Sequence, residues 1–125
     1  MLVGTGIDVV DIERIARSIE RYGPRFVERV FTADEISYCQ RKRNSAESFA
    51  ARFAAKEAGA KALGTGIQHG VTWKEIEVWR APGKRPTLHF SGRALEMAKT
   101  LGVKRISLSL THGKTVAIAS VSLES

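Results

Sequence analysis

An alanine-rich segment at residues 46–63 constrains the fold of this chain more than any other feature of its sequence. The segment contains no proline, and alanine has the highest helix propensity of all residues. Gly64 follows at the position where helices commonly end. We therefore predict one long helix over residues 46–63.

Hydrophobic periodicity and turn residues predict shorter elements on both sides of this helix. The predicted helices are Ile12–Tyr22, Phe26–Val30, 33–41 and Gly92–Thr100, and the predicted strands are Leu2–Val10, Trp73–Arg80, Pro86–Phe90, Lys104–Thr111 and Thr115–Leu123. Asp11 is placed to cap the first helix, and Thr32 with Glu35 has the spacing of a capping box. Helices come first and hairpins dominate the end, so we expect an α+β fold with helices packed on an antiparallel sheet.

Length and composition favour a single domain over residues 1–125. A chain of 125 residues buries roughly two-thirds of its unfolded surface, which is enough for a hydrophobic core. Hydrophobic residues are 43% of the chain, which excludes a disordered tail, and no apolar run approaches the ~20 residues of a membrane span. Cys39 is the only cysteine and the N-terminus lacks a signal-peptide pattern, so we expect a cytoplasmic protein with no membrane partner.

The chain is strongly basic, with a net charge of +7 and a pI near 10.0. Such a surface attracts anions, whether nucleic acid, phosphorylated cofactors or an acidic protein. Gly4-Thr5-Gly6 lacks the third glycine of a dinucleotide-binding loop, and Gly113-Lys114-Thr115 lacks the first glycine of a P-loop. The three histidines lack metal-ligand spacing and there is no Gly-x-Ser-x-Gly elbow, so these common site types are excluded.

Phe49, Phe53, Glu57 and Lys61 are spaced four apart and therefore form one stripe along the predicted long helix. The stripe begins with two aromatic residues for the core and continues with two charges, which places Glu57 at the margin of the core. A partly desolvated carboxylate there attracts a cation strongly. The alternative is an exposed Glu–Lys pair four residues apart, which is worth only ~0.3–0.5 kcal/mol.

Asp8 is a lone acid in an otherwise apolar strand, where it needs a partner. Asp8 and Glu57 could together hold Mg²⁺, provided that a phosphate and waters complete the octahedron. Arg52 and Lys56 add cations on neighbouring faces of the helix, and Gly64-Thr65-Gly66 allows an anion to approach the backbone N–H groups. The alternative for Asp8 is a turn or helix-capping residue, because the next helix begins only a few residues later.

Motifs in order along the whole chain resemble one known family. The segments are Gly6-Ile7-Asp8-Val9-Val10-Asp11-Ile12-Glu13-Arg14-Ile15, then Phe31-Thr32-x-x-Glu35, then Arg52-Phe53-Ala54-Ala55-Lys56-Glu57-Ala58-x-x-Lys61-Ala62-x-Gly64-Thr65-Gly66, and finally Ser109-x-Thr111-His112. Together they are similar to the holo-[acyl-carrier-protein] synthase family, the short bacterial type of 4′-phosphopantetheinyl transferase. The resemblance implies that family's fold.

The resemblance also implies a reaction. The family moves the 4′-phosphopantetheine arm of coenzyme A onto a serine of apo-acyl carrier protein, releases adenosine 3′,5′-bisphosphate, and serves fatty acid biosynthesis. By this resemblance Asp8 and Glu57 bind Mg²⁺, and Lys61 contacts the reacting phosphate or helps to move the serine proton. The nucleotide end of coenzyme A would be held by a second set of residues, namely Arg52, Gly64, Thr65, Gly66 and His112.

The same family is trimeric, with active sites in clefts between subunits. The two C-terminal strands carry more apolar surface than one small sheet needs, and we expect the surplus to be buried between three subunits. The residues concerned are Ile106, Leu108, Leu110, Val116, Ile118 and Val121.

Arg14, Arg17 and Arg21 form a basic ridge along the first predicted helix, opposite its isoleucines. Arg25 extends the ridge past Pro24, and Phe26 adds an apolar contact beside it. Because acyl carrier proteins present acidic helix residues beside their modified serine, we expect the ridge to bind the carrier. The alternative is a solvated helix face.

Two other classes of protein compete with the transferase. The positive charge and the arginines of residues 14–43 are compatible with a small nucleic-acid-binding domain, but the aromatic residues lie at core spacing and do not form a stacking platform. A structural oligomerisation domain would leave Asp8 and Glu57 unexplained. We therefore expect no nucleic-acid partner.

Overall fold

The computed structural model describes residues 1–125 and contains five α-helices and five β-strands. The helices are α1 (Ile12–Tyr22), α2 (Pro24–Val30), α3 (Ala33–Gln40), α4 (Ser45–Ala62) and α5 (Gly92–Thr100). The strands are β1 (Leu2–Asp11), β2 (Ile76–Trp79), β3 (Thr87–Phe90), β4 (Arg105–His112) and β5 (Val116–Glu124). Strands β1, β5 and β4 form one antiparallel sheet in that order, and β2 pairs with β3 in a second. The predicted α+β class is confirmed.

Capping residues set several of the element boundaries. The Asp11 carboxylate accepts a hydrogen bond from the Glu13 amide at 3.1 Å, and Thr32 with Glu35 forms the predicted capping box. Helix α2 begins at Pro24, two residues earlier than predicted, because proline is well suited to the first turn of a helix. Strand β2 begins only at Ile76, since Trp73–Glu75 forms a 3₁₀ turn capped by Thr72.

Helix α4 packs on the three-stranded sheet along β1 and β5. Phe49 and Phe53 are buried, as the stripe predicted. On β1, Gly4 and Gly6 lie directly against the helix backbone, and a Cβ atom at either position would overlap the carbonyl oxygens of Ala62 and Ala58 respectively. These glycines therefore serve close strand–helix packing, which brings the residues that follow them on β1 next to α4.

The outer face of this sheet carries no helix. Ile7, Val9 and Val116 are all more than a third exposed there, and Ile118 lies beside Val9 in the register. Val121 is only 1% exposed and faces α4, so its predicted place in the surplus apolar surface is wrong. The reason is the period of two along a strand, which puts Val116 and Ile118 on one face of β5 and Val121 on the other.

The apolar side chains of β4, which were also predicted to belong to that surface, face α4 as well. The partners of Ile106, Leu108 and Leu110 on β5 are all residues that face α4. The uncovered apolar surface is therefore made by β1 and β5. None of the five helices has the length and apolar character needed to cross a bilayer.

Candidate active site

Asp8 and Glu57 lie where β1 packs on α4. Asp8 follows Gly6 on the strand face that contacts the helix, and its side chain is only 16% exposed. The Lys61 ammonium donates to the Asp8 carboxylate at 2.9 Å and to the Ile7 carbonyl at 3.1 Å. The simple alternative of an exposed Glu57–Lys61 ion pair is therefore wrong, because Lys61 pairs with the strand instead.

The two carboxylates interact electrostatically. Burial raises the pKa of Glu57 above its usual value, and the negative charge of Asp8 raises it further. The positive charges of Lys61 and Arg14 offset part of that rise. Two acids held this close in a partly desolvated place form a site that favours a bound cation.

The donor set fits Mg²⁺ shared with a substrate. No group of three or more His, Cys, Asp or Glu side chains in the chain could hold a metal ion by itself. Mg²⁺ is commonly bound by only one or two carboxylates, with waters and substrate phosphates completing its shell. Asp8 and Glu57 could supply those two carboxylates, and the mutual repulsion that raises the Glu57 pKa would be relieved by a divalent ion.

Arg52 lies in a different place, on the side of α4 that faces β4. Arg52 and Glu57 are five positions apart on α4, which turns their side chains about 140° apart around the axis. Arg52 is only 5% exposed, yet its guanidinium forms no ion pair and its Nε has no hydrogen-bond partner. A buried cation without a polar partner is costly unless an anion neutralises it.

A cavity of about 390 Å³ opens beside Arg52. Thr111 and His112 at the end of β4 line it, together with Arg80 and Arg85, which lie in the loop between β2 and β3. The His112 ring is 3.5 Å from the Glu47 carboxylate on the first turn of α4. Three arginines and a histidine line this one cavity and could bind an anion there.

Sequence reasoning missed Arg80, Arg85 and Tyr38 as members of this site. Arg80 and Arg85 lie about thirty residues after Arg52 and outside α4, so no helix or strand periodicity links them to it. The one sequence signal was that the hairpin loop is basic. Tyr38 lies on α3, and its ring centroid is 3.9 Å from the Arg52 guanidinium carbon.

The Gly64-Thr65-Gly66 loop follows the C-terminus of α4. The amides of Gly64 and Gly66 donate to carbonyls of the last helical turns, at 2.9 and 3.1 Å, and so complete the cap. The Thr65 hydroxyl donates to the Gly66 carbonyl at 2.8 Å. The Thr65 backbone amide donates to no backbone carbonyl. Of the three predicted anion donors, only this amide is free.

Lys56, which the sequence suggested as another available cation, is fully buried. Its ammonium forms an ion pair with the Glu35 carboxylate at 2.6 Å and donates to the carbonyls of Trp73 and Ile76. Glu35 also accepts from the Val78 amide at 2.9 Å. Lys56 is therefore wrong as a ligand-facing cation, and it joins α4 to α3 and β2 instead.

The basic ridge of α1 is exposed along its whole length. Arg14, Arg17 and Arg21 all lie at the surface, and the one ion pair among them joins Arg17 to Glu13 at 3.5 Å. The positive charge of Arg14 acts on Glu57, so this end of the ridge lies next to the carboxylate pair. Arg25 continues the exposed surface.

Phe26 is half-buried. Its ring packs against the rings of Phe53 and Phe31, with centroids 6.3 and 6.2 Å away. Phe26 therefore contributes to the core as well as offering part of its surface beside the ridge.

Comparison with known proteins shows the family of this chain. Residues 4–119 match the family model described as the 4′-phosphopantetheinyl transferase superfamily. The chain is 56% identical over 124 residues to the holo-[acyl-carrier-protein] synthase of Koribacter versatilis and 52% identical over 124 residues to that of Solibacter usitatus, covering 99% of each chain.

Solved structures with the same fold carry the same description. The holo-[acyl-carrier-protein] synthase of Neisseria meningitidis superposes with a TM-score of 0.89 at 33% identity and full coverage of both chains. The Helicobacter pylori protein, solved in complex with coenzyme A, gives 0.84 at 32% identity, covering 96% of this chain and 99% of that one. The chain therefore belongs to the 4′-phosphopantetheinyl transferase superfamily, and within it to the holo-[acyl-carrier-protein] synthases, which are enzymes.

Proposed function

We propose that this enzyme transfers the 4′-phosphopantetheine arm of coenzyme A to a serine of apo-acyl carrier protein, with Mg²⁺ held by Asp8 and Glu57. In the reaction the serine oxygen forms a bond to the phosphorus that bears the pantetheine arm. The bond from that phosphorus to the bridging oxygen breaks, adenosine 3′,5′-bisphosphate leaves, and the serine loses its proton. The Asp8–Glu57 pair at the junction of β1 and α4 is the observation that supports this most directly.

Bound Mg²⁺ would supply positive charge across the diphosphate, where negative charge grows in the transition state. The chain's own residues do the rest of the positioning. Rigid elements, a strand packed closely on a helix, hold the two carboxylates. Lys61 is joined to Asp8 at 2.9 Å, so its ammonium is within reach of a phosphate bound at the pair and can stabilise the reacting oxygens.

The cavity beside Arg52 would hold the nucleotide end of coenzyme A. Arg52 and His112 line it, and both can bind a phosphate. The Thr65 amide, in the loop that follows α4, would contact the same substrate nearer the carboxylate pair. Related enzymes of Helicobacter pylori and Bacillus anthracis were solved in complex with coenzyme A, which supports coenzyme A as the substrate here.

The separation of the two sites within one chain favours a shared active site. Arg52 and Glu57 lie on different sides of α4, and β5 lies between the strands that carry Asp8 and His112. One subunit would supply the carboxylates and its neighbour the cavity, as expected for the trimer that the family resemblance implies. The uncovered apolar face of β1 and β5 offers the surface for such an assembly.

The α1 ridge would bind the carrier protein. It is basic, exposed and ends beside Glu57, so an acidic helix lying on it would deliver its serine to the carboxylate pair.

We place the reaction in the cytoplasm and in fatty acid biosynthesis. Cys39 is free and buried, and burial raises its pKa to about 11, so the thiol stays protonated and unreactive.

Mass spectrometry of the carrier tests this function. The purified chain is incubated with coenzyme A, Mg²⁺ and apo-acyl carrier protein, and the carrier should gain the mass of one phosphopantetheine arm. A carrier with its modified serine replaced by alanine is the control and should gain nothing. Chelation of Mg²⁺ should stop the gain. An unchanged mass with full Mg²⁺, accompanied by tight DNA binding, would favour a nucleic-acid-binding domain instead.

A further inference from the structure

Arg52 is held in its buried place by an aromatic ring and by no carboxylate. The guanidinium carbon lies 3.9 Å from the centre of the Tyr38 ring. No acidic side chain forms an ion pair with Arg52, and its Nε lacks any hydrogen-bond partner. The contact with Tyr38 is therefore the specific interaction that orients this cation within the chain.

An aromatic partner suits a cation that must bind an anion. A carboxylate would fix Arg52 but would also neutralise its charge and occupy its N–H groups. A ring face attracts the guanidinium through its quadrupole and leaves those N–H donors free. Arg52 can thus be held in position and still meet a phosphate in the cavity with full charge.

The surroundings of Tyr38 agree with this role. Tyr38 lies on α3, is half-buried, and lines the cavity of about 390 Å³ together with Arg52. The ammonium of Lys42 lies 4.7 Å from the same ring. Burial raises the pKa of Tyr38, but Arg52 and Lys42 lower it by more, through their charges and through side-chain hydrogen bonding to the phenol, so its net shift is downward. The ring therefore sits within a group of cations.

We propose that Tyr38 is the positioning residue of Arg52, and that its ring sets the affinity of the enzyme for the phosphorylated nucleotide end of coenzyme A. This rests on the proposed function, because Arg52 is taken to contact that nucleotide. Tyr38 acts only through Arg52. Its ring, which lies 3.9 Å from the guanidinium carbon, should matter more than its hydroxyl.

Titration calorimetry with adenosine 3′,5′-bisphosphate tests the proposal on the full chain. Tyr38→Phe keeps the ring and should bind nearly as tightly as the wild type. Tyr38→Leu keeps apolar volume but loses the ring, and its dissociation constant should rise about 3- to 30-fold, the range of a partly desolvated cation–π contact. Arg52→Ala should weaken binding further, and adding Tyr38→Leu to Arg52→Ala should cause no additional loss.

Steady-state kinetics give the readout that a general packing defect would not produce. Tyr38→Leu should raise the KM for coenzyme A and leave kcat and the KM for the carrier nearly unchanged. Circular dichroism and thermal unfolding show whether each variant is folded. If Tyr38→Leu does not fold, Tyr38→Phe serves as the conservative variant that keeps the ring.

The outcomes separate the two levels of the proposal. If Arg52→Ala binds the bisphosphate normally, the nucleotide site itself is misplaced and the proposed function needs revision. If Arg52→Ala loses binding but Tyr38→Leu does not, or if Tyr38→Leu weakens binding equally without Arg52, the positioning role of Tyr38 is overturned while the site stands.

Discussion

At the scale of single residues, Asp8 depends on its glycine neighbour. Its carboxylate points toward α4 because Asp8 shares a strand face with Gly6, and Gly6 leaves room for the helix backbone. Glu57 meets it from the helix, and Lys61 binds it from the next turn. Three charged side chains thus meet at the edge of the core, where their interactions are less screened than in water.

Removing either carboxylate should disable the same function. We expect Asp8→Ala and Glu57→Ala each to reduce turnover by about 100-fold or more, the size of the loss of a transition-state stabiliser. The double variant should be little worse, because residues that act as a unit are not additive. Transfer rates over a range of Mg²⁺ concentrations measure this. Glu28→Ala, an exposed acid on α2, is the control. Multiplying effects of the two changes would argue against a shared ion.

The buried Lys56–Glu35 pair should be important for stability and not for chemistry. Lys56→Met leaves the Glu35 carboxylate buried without its cation, so the free energy of unfolding should fall by about 3–5 kcal/mol. Urea denaturation followed by circular dichroism measures the loss. Lys74→Met, at an exposed lysine, should change stability by less than about 0.5 kcal/mol. Equal stability of both variants would mean that the pair contributes little.

At the scale of elements, the contact between β1 and α4 is made by backbone. A methyl group at position 6 would meet the Ala58 carbonyl oxygen, which cannot rotate away as a side chain could. The elements must therefore separate to admit it, and Asp8 moves with the strand.

Gly6→Ala should consequently be severe. We expect a loss of about 3 kcal/mol or more in the free energy of unfolding, at the upper end for overpacking, together with a large loss of transfer activity. Gly113→Ala is a matched control, since a Cβ there meets no atom within 4 Å. Thermal unfolding and the carrier assay compare the two. Wild-type behaviour of Gly6→Ala would contradict the close packing.

The ridge of α1 is an element-scale feature because its effect depends on several charges on one helix face. Reversing Arg14 and Arg21 to glutamate should raise the KM for the carrier by roughly 10-fold, as two exposed ion pairs become repulsive, and leave the KM for coenzyme A nearly unchanged. Arg14→Glu alone should also lower kcat, because its charge reaches Glu57. The wild-type rate at low carrier concentration should fall as salt rises past ~0.15 M.

A charge-matched control isolates the ridge from net charge. Lys99→Glu with Lys104→Glu changes the net charge equally, at two exposed sites away from α1. This variant should keep the wild-type KM for the carrier. If the ridge variant raises the KM for coenzyme A instead, the ridge belongs to the nucleotide site, and if neither KM moves, it is a solvated face.

At the scale of the whole molecule, the two parts of the proposed site lie at different strands of one sheet. The carboxylate pair lies along β1 and the arginine-lined cavity along β4, with β5 between them. Neighbouring strands are ~4.8 Å apart, so the two edges of the sheet are about 10 Å apart with α4 between their side chains. A second subunit would let a single coenzyme A meet both.

Light scattering at micromolar concentration should therefore give a mass near three chains. Ile118→Asp puts a charge in the middle of the uncovered face of β1 and β5, and should reduce both the mass and the transfer rate together. Leu95→Asp, at an apolar residue of α5 that is 38% exposed, should change neither. A monomer that transfers phosphopantetheine at full rate would exclude both the trimer and the shared cleft.

The sequence by itself was sufficient for the main elements and caps, which depend on neighbours within a few residues. The alanine-rich helix, the Asp11 and Thr32 caps and the alternation of the two C-terminal strands are local patterns, and each reports its own element. The stripe from Phe49 to Lys61 likewise indicated that Glu57 lies at the margin of the core. These predictions succeeded because helix and strand periodicities are set by backbone geometry.

Only the tertiary structure decided which charges are available to a ligand. Lys56 and Arg52 lie four residues apart on α4 and look equivalent in the sequence, yet Glu35 neutralises the first and a tyrosine ring supports the second. Lys61 likewise reaches Asp8, 53 residues away, in preference to its helical neighbour Glu57. Such choices depend on which segments pack against each face of the helix, and that packing is determined by contacts between distant parts of the chain, which no local pattern records.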